Sequence, residues 1–289
     1  MNKSFLFFGL LIVLCANTAY AEEGLVAHYT FDENDGTILH EYSGNNNGTI
    51  YGATWVDGIN GSALSFNGVD DYVFLGNDNS LYSSSMTLIE WLKFNKTTTF
   101  WGMLTLNDAS GGGGEWGLGI AISNNGELSS AAGAGLNEKY LIASHTTPVN
   151  DDRWHFVSTT YDDIDKKLKL YVDGYLVASN DPSADRTFSS SDTLVHNSKL
   201  YNWYIGRFSE YDVYPEAGPR YYEGTIDEVK IYNRSLTAEE IKAEYEKFAP
   251  PTNPLDSDND GLEDELELSL ELNPHSPDTD SDGINDFEE

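Results

Sequence analysis

The sequence predicts an all-β sandwich with one short helix near its end, followed by a small acidic tail. Three observations carry this. Short runs of alternating apolar and polar residues recur from Leu25 to Ile231 with no helical stretch between them, which argues for stacked sheets. Asp173-Gly174 stands alone between two such runs, and that dipeptide is the strongest short-range hairpin signal. Aromatics make up 13% of the chain and glycine contributes 26 residues, a composition that suits strands parted by tight turns.

The elements follow in order. Residues 1–21 read as a secretory signal: Lys3 is the basic region, Phe5 to Leu14 the apolar core, and Ala19-Tyr20-Ala21 a small-residue cleavage pattern. Cys15, the one cysteine, lies inside it, so the mature chain is expected to be exported without disulfides. Leu14 stands where a lipoprotein signal takes a small residue, which argues against lipidation. No later stretch has the length and hydropathy of a transmembrane anchor.

Leu25, Ala27, Tyr29 and Phe31 alternate as a first strand, and Asp32 to Gly36 form a turn. Leu64 and Phe66 share one face, and Gly68 to Asp71 turn the chain into Tyr72 to Leu75. Met86 to Phe94 reads as a buried strand with Glu90 among Leu88, Leu92 and Phe94; it either bulges, faces a wet cleft, or gives Glu90 a partner. Ser110 to Gly114 is a glycine run without the Gly-Lys-Ser/Thr ending of a phosphate loop. Trp154, Phe156 and Ser158 alternate, and Leu168, Leu170 and Val172 lead into Asp173-Gly174. The segment FSEYDVYPEAGPRYY offers tyrosines on a proline-stiffened loop, either as a recognition surface or as packing for the loop itself.

In GTIDEVKIYNRSLTAEEI, Thr225, Asp227, Val229 and Ile231 are predicted to share a strand face. Asp227 in an apolar row is either a strand-end residue reached by water or a metal ligand. Thr237 as N-cap, Glu240 at N3 and a Leu236–Ile241 staple then start a helix. This closing stretch resembles the last strand and helix of the laminin G-like, concanavalin A-like jelly-roll domains. LVAHYTFDEN, YSGNNNGTIYGATWVDGINGSALSFNGVDDYVFLGN, WHFVSTTYD and KLKLYVDGYLVAS resemble the same family. The resemblance implies a two-sheet antiparallel jelly-roll sandwich over residues 22–248, with a Pro-rich linker at 249–255 and a separate tail at 256–289. It also implies a structural calcium near the first and last strands, for which Asp32, Asn45 and Asp227 are the oxygen-bearing residues.

The last 34 residues hold 14 acids and no lysine or arginine. Asp256, Asp258, Asp260, Gly261, Leu262, Asp264 and Glu267 fall where a calcium loop needs side-chain oxygens, its sharp-turn glycine and a backbone carbonyl. The pattern returns 22 residues later as Asp278, Asp280, Asp282, Gly283, Ile284, Asp286 and Glu289. A solvated acidic tail lacks such regular spacing. Prolines rather than a helix precede Asp256, so the loops resemble bacterial thrombospondin type 3 repeats more than EF-hands. Dockerins are the rival, but they need a helix after each loop. The resemblance implies that both loops bind Ca²⁺.

Net charge is −32, with 16 Lys and Arg against 48 Asp and Glu. That surface repels phosphate backbones, which sets nucleic acid and anionic membrane aside as partners. Calcium use and a saline habitat both fit the charge. The carboxylate motif E-x-D-x-x-E of sandwich glycoside hydrolases fails at Glu210-Tyr211-Asp212, because Pro215 occupies the acid position. The histidines form no metal-spaced pair, and no Gly-x-Ser-x-Gly elbow is present. The expectation is therefore a non-catalytic, secreted or cell-surface adhesion module that binds a glycan or an extracellular protein. Trp101, Trp116, Trp203, Tyr211 and Tyr214 are the expected contact residues, since sugars stack on aromatic faces. A structural spacer or envelope component is the second reading, and a polysaccharide-degrading enzyme the third.

Overall fold

The computed structural model describes residues 23–94, 102–108, 118–123, 125–134, 139–180, 202–208 and 220–249, with positions 268, 270, 272, 273, 276, 277 and 279. The chain divides into two compact units, Met1–Lys247 and Phe248–Glu289, and the sandwich lies in the first. Its strands, in chain order, are β1 (Leu25–Tyr29), β2 (Ile38–Leu39), β3 (Gly48–Tyr51), β4 (Thr54–Asp57), β5 (Ser62–Asn67), β6 (Tyr72–Gly76), β7 (Met86–Lys93), β8 (Gly102–Asp108) and β9 (Leu118–Ile122). There follow β10 (Leu128–Ala134), β11 (Lys139–His145), β12 (Trp154–Asp162), β13 (Lys167–Val172), β14 (Tyr175–Ser179), β15 (Asn202–Ile205), β16 (Arg207–Phe208), β17 (Arg220–Tyr221) and β18 (Glu223–Tyr232). One helix, α1 (Ala238–Tyr245), comes after the last strand.

The first sheet runs β14-β13-β12-β7-β18-β5-β4, with β1 paired to the second half of β18. The second runs β11-β10-β9-β8-β15-β6-β3-β2, and β16-β17 form a separate ribbon. The predicted hairpin is present: Val172 pairs with Tyr175 across Asp173 and Gly174, both with positive φ (50° and 78°), as a tight two-residue turn requires.

The core fills the space between the sheets. Leu64, Leu88, Leu92, Val157, Leu170, Ile226 and Ile231 of the first sheet pack with Val73, Leu75, Leu118, Ile120, Leu128, Trp203 and Ile205 of the second. Glu90 faces inward among them, fully buried, while β7 pairs with β12 in unbroken register. Neither a bulge in β7 nor a wet cleft accounts for it. Burial, and after it the Glu90 charge, pushes the pKa of the Tyr222 hydroxyl well up. Polar contacts also cross the core, where the Ser130 and Thr159 hydroxyls are hydrogen-bonded.

The irregularity lies in β18 instead. Its pairing with β7 slips between Asp227 and Lys230, and Glu228 takes φ 50°. That one extra residue reverses the parity of the strand. Ile226, Val229 and Ile231 therefore point into the core, and the predicted common face of Thr225, Asp227, Val229 and Ile231 does not form.

The outer face of the first sheet is also apolar, with Ile89, Trp91, Phe156, Tyr171 and Tyr232 buried. The helix α1 covers it: Tyr245 stacks on Trp91 with centroids 5.7 Å apart and meets Phe156 edge-on at 5.8 Å. The predicted capping box is complete. Thr237 Oγ1 accepts from the Glu240 N–H at 3.2 Å, and Glu240 Oε2 accepts from the Thr237 N–H at 2.8 Å. Leu236 and Ile241 are both buried, as a staple requires. An eight-residue helix is not stable alone, so this packing holds it in place.

Candidate functional site

Alternation along three neighbouring strands builds an aromatic surface. Ile50, Val73, Leu75, Trp203 and Ile205 belong to the core, so the intervening Tyr51, Tyr72, Phe74 and Tyr204 stand on the outer face of the second sheet. Tyr51 lies opposite Tyr72, and Tyr204 opposite Phe74. The Tyr51 and Tyr72 rings stack at 4.6 Å with an interplanar angle of 13°. Tyr204 meets Tyr72 at 5.8 Å and Phe74 at 5.5 Å.

A cation enters this surface through a turn that only glycine fits. Gly206 has φ 79°, and a Cβ there would lie 2.6 Å from the Phe66 ring. The next residue, Arg207, pairs with Tyr221 across the β16-β17 ribbon. Its guanidinium carbon lies 5.0 Å from the Tyr72 ring centroid, 4.9 Å from Tyr204 and 5.8 Å from Tyr221. Its Nε is buried and makes no hydrogen bond, and among the described residues no carboxylate forms an ion pair with it. Burial raises the Tyr72 pKa, and the charge of Arg207 pulls against that rise. Tyr51 is 45% exposed and Tyr204 only 7%, so the surface is open at its Tyr51 end. Phenol and guanidinium side chains are poor proton carriers near neutral pH, so a surface of this composition suits binding better than acid–base chemistry.

A second cluster joins the first and last strands. Asp227 is fully buried: its Oδ2 accepts from the Asn60 N–H at 3.2 Å and its Oδ1 from the Glu228 N–H at 2.8 Å. Burial raises its pKa to about 8, against the pull of these backbone donors. Asp32 Oδ1 accepts from the Ser62 N–H at 3.4 Å. Gly58 and Gly61 press so closely on Asp227 and Asp32, respectively, that neither leaves room for a Cβ. Beside them Glu228 meets His28 Nε2 at 2.7 Å and the Asn60 side chain at 3.1 Å. Two of the three residues expected to hold a structural calcium, Asp32 and Asp227, thus meet the same turn. Asn45 does not join them; it is exposed and bonds within a different turn, to Glu41 at 3.4 Å and Ser43 at 3.1 Å. Among the described residues no group of three His, Cys, Asp or Glu is arranged to hold a metal ion.

His155 is a third polar feature. Its Nδ1 lies 2.9 Å from Asp173 Oδ2 and its Nε2 3.1 Å from Asp151 Oδ1. Burial lowers its pKa, but the two carboxylates outweigh that and set it at about 9. It is a charged strut at the Asp173-Gly174 turn.

Several predicted site residues lie elsewhere. Trp203 is a correction: it is 1% exposed and packs against Tyr82 at 5.4 Å, because its position in β15 points into the core. Trp101, Trp116, Tyr211 and Tyr214 lie outside the described residues, as do Glu210, Asp212 and Pro215. So do the calcium-loop residues Asp256, Asp258, Asp260, Leu262, Asp264, Glu267, Asp278, Asp280, Asp282, Ile284, Asp286 and Glu289. The aromatic face itself was missed by sequence reasoning, which weighed tryptophans and loop tyrosines. The signal was present: Tyr51, Tyr72 and Tyr204 are each the outward partner of an apolar neighbour.

Comparison with known proteins agrees with this architecture. Residues 67–242 match the Concanavalin A-like lectin/glucanases superfamily. The chain is 24% identical over 223 residues to the non-toxic nonhemagglutinin type E of Clostridium botulinum, covering 72% of this chain and 18% of that protein. It thus spans under a fifth of the length of such relatives. Among solved structures it is similar to the binding domain of Paraclostridial Mosquitocidal Protein 1, with TM-score 0.59, 14% identity and coverage of 79% of this chain and 53% of that one. The receptor binding domain of botulinum neurotoxin C/D mosaic serotype gives 0.56 at 17%, covering 78% and 52%. A Trypanosoma rangeli sialidase mutant gives 0.55 at 19%, covering 78% and 34%. With more than half of its length matched, and two antiparallel sheets packed as that match requires, the chain belongs to the concanavalin A-like lectin/glucanases superfamily.

Proposed function

We propose that this chain is an exported, non-catalytic calcium-binding protein whose lectin-like sandwich binds a glycan at a cell surface or in an extracellular matrix, through the outer aromatic face of the second sheet. The observation that carries the reading is the stack of Tyr51 on Tyr72, open to solvent at Tyr51 and continued inward by Tyr204 and Phe74. Flat rings with a hydroxyl at the edge offer a sugar both a stacking face and a hydrogen bond at small entropic cost. Two of the similar structures carry the names of binding domains, in keeping with a binding role. The likeness to sialidases concerns the fold, and the fold does not fix an activity. No helix among the described residues is long and apolar enough to cross a membrane, which is compatible with an extracellular protein.

The test is binding of the intact chain to an immobilised glycan panel, followed by calorimetry on the ligands retained. Tyr51→Ala should weaken binding by about five- to tenfold, the value of one aromatic contact, with an unchanged melting temperature. Retention of full affinity would remove this face from the reading. Self-association on adding calcium, with no glycan retained, would favour the structural-spacer reading instead.

A further inference from the structure

We propose that the aromatic face selects saccharides bearing a carboxylate, and that Arg207 is the residue that selects them. This rests on the glycan-binding reading above and names its ligand class. A half-buried guanidinium costs solvation, and a protein usually returns that cost with a carboxylate. Arg207 has tyrosine rings instead: three of them lie within 5.8 Å of its guanidinium carbon, and no carboxylate among the described residues pairs with it. Its Nε is buried without a hydrogen bond, and among the described residues it is ring faces rather than a carboxylate that surround its charge.

The surroundings sharpen this. The chain carries −32 overall, so its long-range field does not recruit anions. Charges farther than about 10 Å are largely screened at physiological salt, however, and the local cation decides what docks beside it. A neutral sugar needs the rings of Tyr51 and Tyr72 but has no use for a guanidinium. A uronic or nonulosonic acid has a pyranose face for the rings and a planar carboxylate that matches the guanidinium fork. One ligand therefore satisfies both halves of the surface, stacking at Tyr51 and pairing at Arg207.

The experiment uses the intact wild-type chain and matched probes: galacturonate, glucuronate and N-acetylneuraminate oligosaccharides, each beside its own methyl ester. Esterification keeps the ring and its hydroxyls and removes the charge. At least one acid should bind about tenfold or more tightly than its ester, the worth of a charge-assisted hydrogen bond, and added sodium chloride should narrow the gap. Arg207→Gln should abolish the acid preference, and Arg207→Lys should keep part of it, because Lys retains charge without the fork. Equal affinity for acid and ester, or an acid preference that survives in Arg207→Gln, would overturn the selection while leaving glycan binding intact. Failure of every acid and every ester to bind would overturn both readings. If Arg207 only ties the rings together, Arg207→Gln will lower the melting temperature and leave the acid-to-ester ratio unchanged, which also overturns the proposal.

Discussion

His155 shows how much a single side chain can carry when its neighbours are arranged around it. Carboxylates on both sides, Asp151 and Asp173, hold its pKa at about 9 against the opposing pull of burial. A base whose folded pKa is raised contributes stability that is full below its unfolded value, near 6.5, and lost as pH rises through about 9. At about 1.4 kcal/mol per unit the shift sets a ceiling of roughly 3 kcal/mol, and the half-exposed Asp151 lowers the expected value to about 1–2 kcal/mol. His155→Gln should therefore unfold at lower urea than wild type at pH 6, with the difference largely gone by pH 10. A constant difference across that range would show that the loss is one of packing. Sequence reasoning did not find this arrangement, because Asp173, unlike Asp151 four residues before, reaches His155 only through the pairing of β12 with β13. Asp227 failed differently: its predicted face rested on unbroken alternation, and the bulge at Glu228 leaves no trace in sequence when the residue with positive φ is not glycine.

At the scale of elements, the closing strand and helix were legible because their signals are local. A capping box spans four consecutive residues, and Thr237 and Glu240 make it as read. Thr237→Ala should cost about 1 kcal/mol, seen as a lower urea midpoint with an unchanged slope. What sequence reasoning did not find is the buried pair beneath the helix, where Glu244 Oε2 lies 2.8 Å from Lys230 Nζ and Glu244 Oε1 accepts from Tyr232 at 3.1 Å. Burial would raise the Glu244 pKa, but Lys230 and Lys247 outweigh it and hold it below the ordinary value. Glu244→Ala should therefore destabilise by about 3 kcal/mol, since it strips a buried ammonium of its carboxylate. The double replacement Lys230→Met with Glu244→Leu should recover most of that loss in the same urea titration. If the double variant is as weak as the single one, the pair contributes net stability and is not merely a charge that must be matched.

At the scale of the whole molecule, two parts of the sequence ask for different explanations of the same acidity. The sandwich keeps its apolar core whatever its surface charge, and its fold was legible because period-two alternation survives from Leu25 to Ile231 with few breaks. The last 34 residues have 14 acids, no lysine or arginine and little apolar material, so their like charges call for neutralisation. General screening and specific chelation both do that, and they differ in dose. Sodium chloride acts through the Debye length, which falls to about 3 Å only near 1 M. Loops with oxygens at the spacing of Asp256, Asp258 and Asp260 hold calcium at roughly micromolar to millimolar concentration. Calorimetric titration of the intact chain with calcium should therefore find at least two sites. Asp258→Asn with Asp280→Asn should remove them, and chelator should leave the tail open to protease while the sandwich stays resistant. If strong sodium chloride protects the tail as well as millimolar calcium does, the acids answer to ionic strength, and the regular spacing that pointed to a bound ion has no ligand role.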